Sequence, residues 1–303
     1  MNVVGRSVLV VTSRTTVRKL FSESTAGRRL SLRFVAGETI DEAAAAAQAL
    51  NEMGAQVSLD HLGEHVTNGP AAIAARDDYL DCLNRIHESG LDANISVKLT
   101  QLGLGLDDEL AVESLGVLAA RAADAGTTVM VDMEESELVQ RTVAACEVVQ
   151  AKYGNVGVAV QSYLYRTPAD LDRIVVGGGY VRLCKGAYDE PVEVAYQDKA
   201  RVDAAFDALT RQLMSTPGIT PGIATHDDER IDLAKRLAEH RSQPWEFQML
   251  YGVRRDLQRS LLDEGYPVRI YVPYGTAWYP YLTRRMAERP ANVAFFLRAA
   301  VGR

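Results

Sequence analysis

Cysteine is scarce in this sequence. Its 303 residues include three cysteines, Cys82, Cys146 and Cys184, which lie far apart. Disulfide frameworks and cysteine zinc sites need cysteines in pairs or in short, regular spacings, and three scattered cysteines offer neither. The composition therefore argues against a disulfide-stapled secreted domain and indicates a reducing compartment.

Long hydrophobic runs are also lacking, and we expect no signal peptide. No apolar stretch approaches the ~18 residues that a membrane-spanning helix requires. The N-terminal stretch MNVVGRSVLVV has neither the basic start nor the small-residue cleavage site of a signal peptide. The formal net charge of −7 argues against nucleic acid as a partner. We expect a cytoplasmic protein.

What the sequence does contain is a regular alternation of short apolar runs with helix-forming segments. The runs are VSLDHL (57–62), NISVKLT (94–100), TTVMVDM (127–133), VGVAVQSY (156–163), YVRLCKGAY (180–188), GIATHD (222–227), WEFQML (245–250) and VRIYVPY (268–274). Helix-like segments at 107–125, 135–153 and 198–214 separate some of them, and another precedes the first run at 41–53. Eight such units favour an α/β fold of the (βα)8, or TIM, barrel type.

The chain shows no obvious domain boundary. It carries no low-complexity linker and no repeat beyond the strand–helix alternation, so we predict one domain over residues 1–303. Residues 1–55 are expected to form extra N-terminal helices and a leading segment, and residues 56–303 are expected to form the barrel.

Polar side chains stand at the end of every predicted strand. In a (βα)8 barrel the C-terminal ends of the strands converge on one mouth, where active sites are built. The residues at these ends are Asp60, Glu64, Lys98, Asp132, Gln161, Arg182, Lys185, His226, Gln248 and Tyr271. One such residue is usually a cap or a loop anchor, but a polar group after each strand predicts a functional site at the mouth.

The segment after the last run predicts an anion-binding helix. Its residues Tyr281, Arg284, Arg285 and Glu288 are spaced i, i+3, i+4 and i+7. This spacing places all four on one helical face. Paired guanidinium groups there can each hold a carboxylate in a two-pronged fork. The alternative is an ordinary solvated helix face.

One short motif is compatible with a metal site. His61 and His65 are the first and last residues of an H-x-x-E-H pattern, of the kind found in some zinc peptidases. That chemistry needs both histidines on one helical face, whereas this run follows a strand and contains Gly63. We therefore predict no metal site.

Two lysines at strand ends leave two chemistries open. A buried Lys98 or Lys185 could form a Schiff base with a carbonyl substrate, as in a barrel aldolase. The alternative is charge pairing, because Lys98 has Asp132 and Glu64 as possible partners from neighbouring strands. A lysine kept charged by carboxylates is a poor nucleophile, so we favour charge pairing for Lys98 and cofactor contact for Lys185.

Taken together, blocks along most of the chain resemble one family. The blocks are RFVAGET (33–39), LDHLGE (59–64), VKLTQLG (97–103), VDME (131–134), VQSYLYRT (160–167), VRLCKGAY (181–188), ATHD (224–227), EFQMLYG (246–252) and YVPYG…WYPYLTRRMAERPAN (271–292). In order and spacing they are similar to the proline dehydrogenase/proline utilisation family of flavoenzymes, in its monofunctional form.

The resemblance implies a distorted (βα)8 barrel whose last helix lies over the mouth, with FAD bound noncovalently at the strand ends. The residues that match flavin-binding positions of the family are Met133, Gln161, Arg182, Lys185, Gly186, Ala187, Thr225 and His226. Among them, Arg182 is expected near the reactive N5 edge of the flavin.

L-proline is the substrate that the resemblance implies. The matching substrate-binding positions are Lys98, Leu250, Tyr281, Arg284 and Arg285, with the two arginines clamping the carboxylate. The residues that we assign to catalysis are Asp132, Arg182 and Tyr271. Glu64 resembles an acidic gate residue that pairs with an active-site arginine, and Glu288 is expected to steady the cationic cluster from its own helix.

The implied reaction transfers a hydride from proline C5 to flavin N5 and yields Δ1-pyrroline-5-carboxylate. By resemblance the electrons then pass to a membrane quinone, with peripheral attachment at the inner membrane face left open. No aldehyde dehydrogenase half is visible, so we expect a separate pyrroline-5-carboxylate dehydrogenase downstream. The alternatives are a dehydrogenase of hydroxyproline or another cyclic imino acid, a flavin-free Schiff-base lyase, and a proline-binding protein without turnover.

Overall fold

The computed structural model describes residues 31–288, with side chains through Thr283. The strands are β1 (Gln56–His61), β2 (Ala93–Val97), β3 (Val129–Val131), β4 (Val156–Gln161), β5 (Gly179–Cys184), β6 (Ile219–Ala224), β7 (Glu246–Leu250) and β8 (Val268–Tyr274). The helices are α1 (Ile40–Glu52), α2 (Gly69–Ser89), α3 (Asp108–Asp124), α4 (Val139–Tyr153), α5 (Thr167–Ile174), α6 (Lys199–Ser215), α7 (Asp228–Ala238), α8 (Arg255–Asp263) and α9 (Trp278–Glu288).

The strands β1 to β8 form a closed parallel barrel in sequence order, with β8 returning to β1. Val57 in β1 lies opposite Ala93 of β2 on one side and opposite Ile270 of β8 on the other. Each predicted apolar run overlaps one observed strand. The predicted (βα)8 barrel is therefore confirmed, and the division of the chain at residue 55 stays a prediction.

The segment between β3 and α4 differs from its prediction. The expected helix 135–153 begins only at Val139, four residues later than predicted. A tertiary contact explains the delay, because the carboxylate of Glu190 accepts hydrogen bonds from the backbone N–H and the hydroxyl of Ser136, both at 2.6 Å. That contact holds residues 132–138 as a loop at the mouth of the barrel.

Local signals explain where the other helices begin and end. At the start of α1, Thr39 Oγ1 accepts from the backbone N–H of Glu42, whose carboxylate accepts in return from the backbone N–H of Thr39, as in a capping box. Helix α2 begins after Asn68, which caps it, and ends at Gly90 in the left-handed conformation that glycine tolerates best. Within residues 31–288, no helix is both long and apolar enough to cross a membrane.

The apolar core lies between the barrel and its surrounding helices, with Tyr79, Phe206 and Phe247 among its largest fully buried side chains. A second, smaller cluster comprises Phe34, Val35, Leu62, Trp278, Tyr279, Tyr281 and Leu282, and Tyr271 packs against it. Because this cluster joins α9 to the C-terminal ends of β1 and β8, the last helix starts over the mouth, as predicted. Of the predicted N-terminal helices α1 is present, and the prediction for residues 1–30 lies outside the described residues.

The segment before α1 is clamped onto the C-terminal end of the barrel. The backbone N–H of Ala36 donates to the carbonyl of Pro273 at 2.9 Å, and that of Gly275 donates to the carbonyl of Gly37 at 3.0 Å. Gly252, in the loop after β7, has φ +74°, and a Cβ added there would lie 1.7 Å from the carbonyl oxygen of Arg33. Only glycine allows these two backbones to approach so closely.

We expect Gly252→Ala to destabilise the fold by more than about 2 kcal/mol, because the clash with the Arg33 carbonyl adds to the backbone strain. Gly54→Ala is the matched control. Gly54 has φ +87°, but a Cβ there meets nothing within 4 Å, so strain alone should cost about 1 kcal/mol. Urea unfolding of both variants measures the difference, and equal losses would contradict the proposed clamp.

Candidate active site

The carboxylate of Asp132, just beyond the end of β3, is the centre of the polar cluster at the barrel mouth. Its Oδ1 accepts from Ser96 Oγ at 2.7 Å and from Arg182 Nη1. Its Oδ2 accepts from Tyr271 OH at 2.7 Å and from Lys98 Nζ at 3.2 Å. Four donors thus converge on the two oxygens of Asp132: two from β2 and the residue just beyond it, one from β5 and one from β8. Three of the predicted strand-end residues, Lys98, Arg182 and Tyr271, therefore bind a further one, Asp132.

The electrostatics of the cluster keep its charges in place. Burial raises the pKa of Asp132, but the positive charges of Lys98 and Arg182 more than offset it, and the pKa lies below its usual value. Burial lowers the pKa of Lys98, but the carboxylates of Asp60 and Asp132 outweigh burial and raise it. Asp132 is therefore an anion and Lys98 a cation at neutral pH.

Lys98 has a second carboxylate partner that completes its charge balance. Its Nζ donates to Asp60 Oδ1 at 2.9 Å, and Asp60 is fully buried. The sequence suggested Asp132 and Glu64 as partners, and the structure confirms Asp132 and adds Asp60. The register explains the addition, because Asp60 of β1 pairs with Ser96, two residues before Lys98 on the same inward face of β2.

Arg182 and Tyr271 pack together above this carboxylate. The guanidinium carbon of Arg182 lies 5.1 Å from the centre of the Tyr271 ring, within cation–π range. Burial and the neighbouring Asp132 raise the pKa of Tyr271 well above its usual value, so its hydroxyl keeps its proton and donates. An aromatic wall and a fixed positive charge therefore stand side by side at the mouth.

A second group of predicted residues lies around the ends of β4 and β5. Gln161 is buried, and its Nε2 donates to the carbonyl of Glu134 at 2.8 Å, while its Oε1 has no hydrogen-bond partner among the described residues. Met133 is buried just beyond the end of β3, directly before Glu134 in sequence, and Ala187 is exposed in the loop after β5. A buried acceptor without a donor is costly in a protein interior, so Gln161 Oε1 is suited to an N–H group supplied by a ligand.

Lys185 is held in a salt-bridge cluster beside this group. Its Nζ donates to Asp203 and, at 2.8 Å, to Asp227. Gly186, the next residue, has φ +120°, and a Cβ there would lie 2.3 Å from the Tyr163 ring. The backbone after β5 therefore follows a path that only glycine permits. Lys185, directly before it, is half-exposed.

The ends of β6 and β7 are joined through His226. Its Nε2 accepts a hydrogen bond from the backbone N–H of Leu250 at 3.1 Å, which places the ring proton of the neutral form on Nδ1. Thr225 is buried and its Oγ1 accepts from the backbone N–H of Asp227 at 3.1 Å. The structure thus groups Thr225, His226 and Leu250 next to Lys185, through the shared residue Asp227.

The remaining predicted residues lie on the loop after β1 and on α9. Glu64 is half-buried in that loop, and Tyr281 is buried in the cluster that covers the mouth. Arg284, Arg285 and Glu288 belong to α9, but their side chains lie outside the part of the chain whose side chains are described. The carboxylate clamp therefore stays a prediction.

Three polar residues of the site carried no assignment from the sequence. Ser58 and Ser96 point into the barrel and bind Arg182, at 3.4 and 2.9 Å. Glu134 is fully buried, and burial raises its pKa although Thr100 donates to it. The period of two along β1 and β2 was the available signal, since it places Ser58 with Asp60 and Ser96 with Lys98 on one face. No comparable pattern marks Glu134.

The two histidines of the H-x-x-E-H pattern face different partners. His61 stacks on Tyr274, with ring centres 5.2 Å apart, and its Nδ1 lies 3.6 Å from Asp78. His65 instead lies 3.4 Å from Glu135. The pattern therefore spans the end of a strand and a loop, and it does not form the shared helical face that a zinc peptidase needs.

Comparison with known proteins gives a consistent result. The proline dehydrogenase family model matches residues 43–298. The chain is 38% identical over 297 residues to "Proline dehydrogenase 1" of Bacillus subtilis subsp. natto, which covers 97% of this chain and 98% of that protein. It is 38% identical over 301 residues to "Proline dehydrogenase" of Deinococcus radiodurans, which covers 97% and 96%.

Two solved structures of proline utilization A share the fold. The protein from Bdellovibrio bacteriovorus superposes with a TM-score of 0.82 at 22% identity, over 94% of this chain and 36% of that one. A variant from Bradyrhizobium japonicum superposes with a TM-score of 0.75 at 27% identity, over 90% and 32%. This chain thus corresponds to about a third of those longer proteins. It corresponds to nearly the whole of the Bacillus subtilis and Deinococcus radiodurans proteins. It belongs to the proline dehydrogenase family.

Proposed function

We propose that this protein catalyses the FAD-dependent oxidation of L-proline to Δ1-pyrroline-5-carboxylate. The observation that carries the proposal is the cluster on Asp132, which joins Lys98, Arg182 and Tyr271 at the mouth of a barrel that matches proline dehydrogenases along nearly its whole length. Membership of the family supports the substrate, and the buried charges support a site that handles a small ionic molecule.

The residues near the ends of β4 and β5 fit a flavin. Gln161 Oε1 is a buried acceptor without a donor in the described part of the chain, and an isoalloxazine ring carries a ring N–H that would satisfy it. A bound flavin supplies the acceptor for the hydride that leaves proline C5. Arg182, held by Asp132, would place a permanent positive charge where the ring becomes electron-rich.

Asp132 acts in this proposal as an anchor and not as a base. Each of its oxygens already accepts two hydrogen bonds, from Ser96 and Arg182 on one side and from Lys98 and Tyr271 on the other. A carboxylate with all four acceptor positions filled, and with a lowered pKa, has little capacity to take a proton from the substrate amine. Its role is to fix the positions of its three functional neighbours.

Substrate recognition rests on complementary features of the mouth. We propose that Arg284 and Arg285 bind the carboxylate of proline, while Tyr271 packs beside its ring and Tyr281 and Leu250 line the pocket. Proline has no polar side chain, so a forked grip on its carboxylate is the strongest available handle. That grip would hold C5 in position for hydride transfer.

The later steps need partners. We propose that the electrons pass to a quinone-type acceptor and that the protein contacts the inner face of the membrane for this purpose. The product is proposed to go to a separate pyrroline-5-carboxylate dehydrogenase.

A visible absorption spectrum tests the proposal. We expect bands at about 380 and 450 nm, those of an oxidised flavin, which bleach when L-proline is added without oxygen. Bleaching by 4-hydroxyproline and not by proline would move the substrate to that imino acid. The absence of flavin bands, even after incubation with FAD, would contradict the dehydrogenase proposal.

Lys98 is not expected to act as a Schiff-base nucleophile. Its two carboxylate partners keep its pKa above the usual value, so the neutral amine is scarce even at pH 9. Borohydride added with pyruvate or with Δ1-pyrroline-5-carboxylate should therefore leave Lys98 unmodified from pH 7 to 9 by peptide mass spectrometry. A trapped adduct on Lys98 would revive the barrel-lyase alternative.

A further inference from the structure

Below the cluster on Asp132, hydrogen bonds continue through the barrel interior to its opposite end. Arg182 Nε donates to Gln248 Oε1 at 2.5 Å. Gln248 Nε2 donates to Glu246 Oε1 at 2.8 Å and to the hydroxyl of Tyr180. Glu246 in turn pairs with Arg269, at 2.7 Å. Gln248, Glu246 and Arg182 are 4, 5 and 6% exposed, so the whole chain of contacts is shielded from solvent.

Glutamine is the residue type that this position requires. A guanidinium group only donates hydrogen bonds, and an ionised carboxylate only accepts them. The side chain between Arg182 and Glu246 must therefore present an acceptor on one side and a donor on the other. The amide of Gln248 does both, and its two neighbours fix which way it is turned. Glutamate there would oppose Glu246, and leucine would leave Arg182 Nε without an acceptor.

A glycine on the adjacent strand leaves the space for this amide. A Cβ added at Gly222 of β6 would lie 2.4 Å from Gln248 Nε2. The backbone of Gly222 is outside the left-handed region that favours glycine, so its conformation alone would accept alanine. The amide of Gln248 is the nearest obstacle to a side chain there, and it cannot move without losing its contacts to Glu246 and Tyr180.

We infer that Gln248, seated in the space left by Gly222, is a positioning residue that sets the plane of the Arg182 guanidinium. Nε is held from below by Gln248, while Nη1 is held by Ser96 and Asp132. Hydrogen bonds on both the Nε side and the Nη1 side fix the orientation of the planar guanidinium. If only one side is bonded, the group can rotate. The inference rests on the proposed function, in which Arg182 faces the flavin, and it adds a residue that touches neither flavin nor proline.

The functional consequence falls on the chemical step. A guanidinium that can rotate presents its charge less consistently to the place where negative charge develops, so the limiting rate of flavin reduction falls. The KM for proline should change little, because Gln248 lies beneath Arg182 and away from the proposed carboxylate clamp on α9. A merely structural residue would lower stability and leave both the rate per folded molecule and the flavin potential unchanged.

A double-mutant cycle of Gly222→Ala and Gln248→Ala tests the inference. Each single variant should lower the limiting rate of anaerobic flavin reduction by about tenfold or more, the size expected for a lost hydrogen bond to a charged group. Each should shift the flavin midpoint potential to more negative values, with KM within about twofold. The double variant should be no slower than Gln248→Ala, because the alanine at 222 then meets no amide.

Gly116→Ala is the matched control for the glycine substitution. Gly116 lies in α3, and a Cβ there makes only an ordinary contact at 3.7 Å with the Tyr153 ring. The limiting rate of flavin reduction and the flavin midpoint potential of Gly116→Ala should equal those of the unmodified protein. Single variants that keep the normal rate and potential while losing stability would overturn the inference, and so would effects that multiply in the double variant.

A readout that does not depend on flavin chemistry separates this inference from the proposed function. In the protein labelled with nitrogen-15 arginine, the Nε–H of Arg182 should exchange slowly with solvent, because it is buried and bonded to Gln248. Gly222→Ala and Gln248→Ala should each accelerate that exchange, and Gly116→Ala should not. Unchanged exchange in the first two variants would overturn the inference, whereas a failure of proline to bleach the flavin would overturn the proposed function alone.

Discussion

Replacing Asp132 with asparagine is expected to slow the reduction of bound flavin by proline by at least about a hundredfold. Asparagine keeps the shape of the side chain but offers one acceptor oxygen in place of two. One pair of donors, either Ser96 with Arg182 or Lys98 with Tyr271, must then face an NH2 group. The displaced pair no longer holds its position at the mouth. Anaerobic stopped-flow absorbance near the flavin bands measures the rate.

The same substitution should lower the free energy of unfolding by about 3 kcal/mol at pH 7, since it removes the countercharge of buried cations. The pKa of Asp132 is lower in the folded protein than in the unfolded chain, so its charge stabilises the fold above the unfolded pKa. That contribution is lost as the pH falls from about 4 through the folded pKa. The difference between Asp132→Asn and the unmodified protein should shrink over that range.

Asp170→Asn provides a control for a carboxylate that does not belong to the cluster on Asp132. Asp170 lies in α5 and pairs with Arg166 four residues earlier. We expect a loss of about 1 kcal/mol or less and no change in the rate of flavin reduction. If Asp132→Asn reduced its flavin as fast as this control, the cluster on Asp132 would have no part in the chemistry.

The strand–helix alternation made the fold predictable, because each signal for it lies within one short segment. The eight apolar runs and the helix-like segments between them are visible as local patterns, and the barrel follows from the number of runs. The boundary that was missed, the start of α4, depends on a contact between Ser136 and Glu190, which are 54 residues apart. No local pattern carries information of that kind.

The site was predictable to the level of which residues point at the mouth, but not of which pairs touch. The strand ends identified Asp132, Arg182 and Tyr271, and the structure places them in contact. The pairing of Lys98 with Asp60 depends on the register between β1 and β2, which sequence periodicity leaves free. Gln248 was likewise recognised as polar, but its contact with Arg182 crosses the barrel interior between β5 and β7.

Arg182→Lys is expected to be nearly as damaging as the loss of Asp132, although it conserves charge. The guanidinium of Arg182 reaches four side chains at once, those of Ser58, Ser96, Asp132 and Gln248. A lysine ammonium group is a single point with three donors and cannot bridge positions on four other strands or strand ends. We expect flavin reduction to slow by at least about a hundredfold, with a lower melting temperature.

The informative control is an arginine whose guanidinium also donates several hydrogen bonds but lies away from the mouth. Arg241 follows α7, and its guanidinium donates to the carbonyls of Leu213, Met214, Thr216, Ile219 and Pro244. These acceptors lie at the start of β6 and around it, at the opposite end of the barrel from the mouth. Arg241→Lys should therefore lower the melting temperature while the rate of flavin reduction per folded molecule stays unchanged.

The contrast between the two arginines separates charge from geometry. If charge alone mattered at the mouth, Arg182→Lys would keep most of its rate, because an ammonium group near Asp132 still balances the carboxylate. If the planar, multiply bonded guanidinium matters, the rate falls although the net charge is unchanged, and Arg241→Lys shows that lost stability alone does not cause the fall. Full activity in Arg182→Lys would contradict the proposed role of the Arg182 orientation.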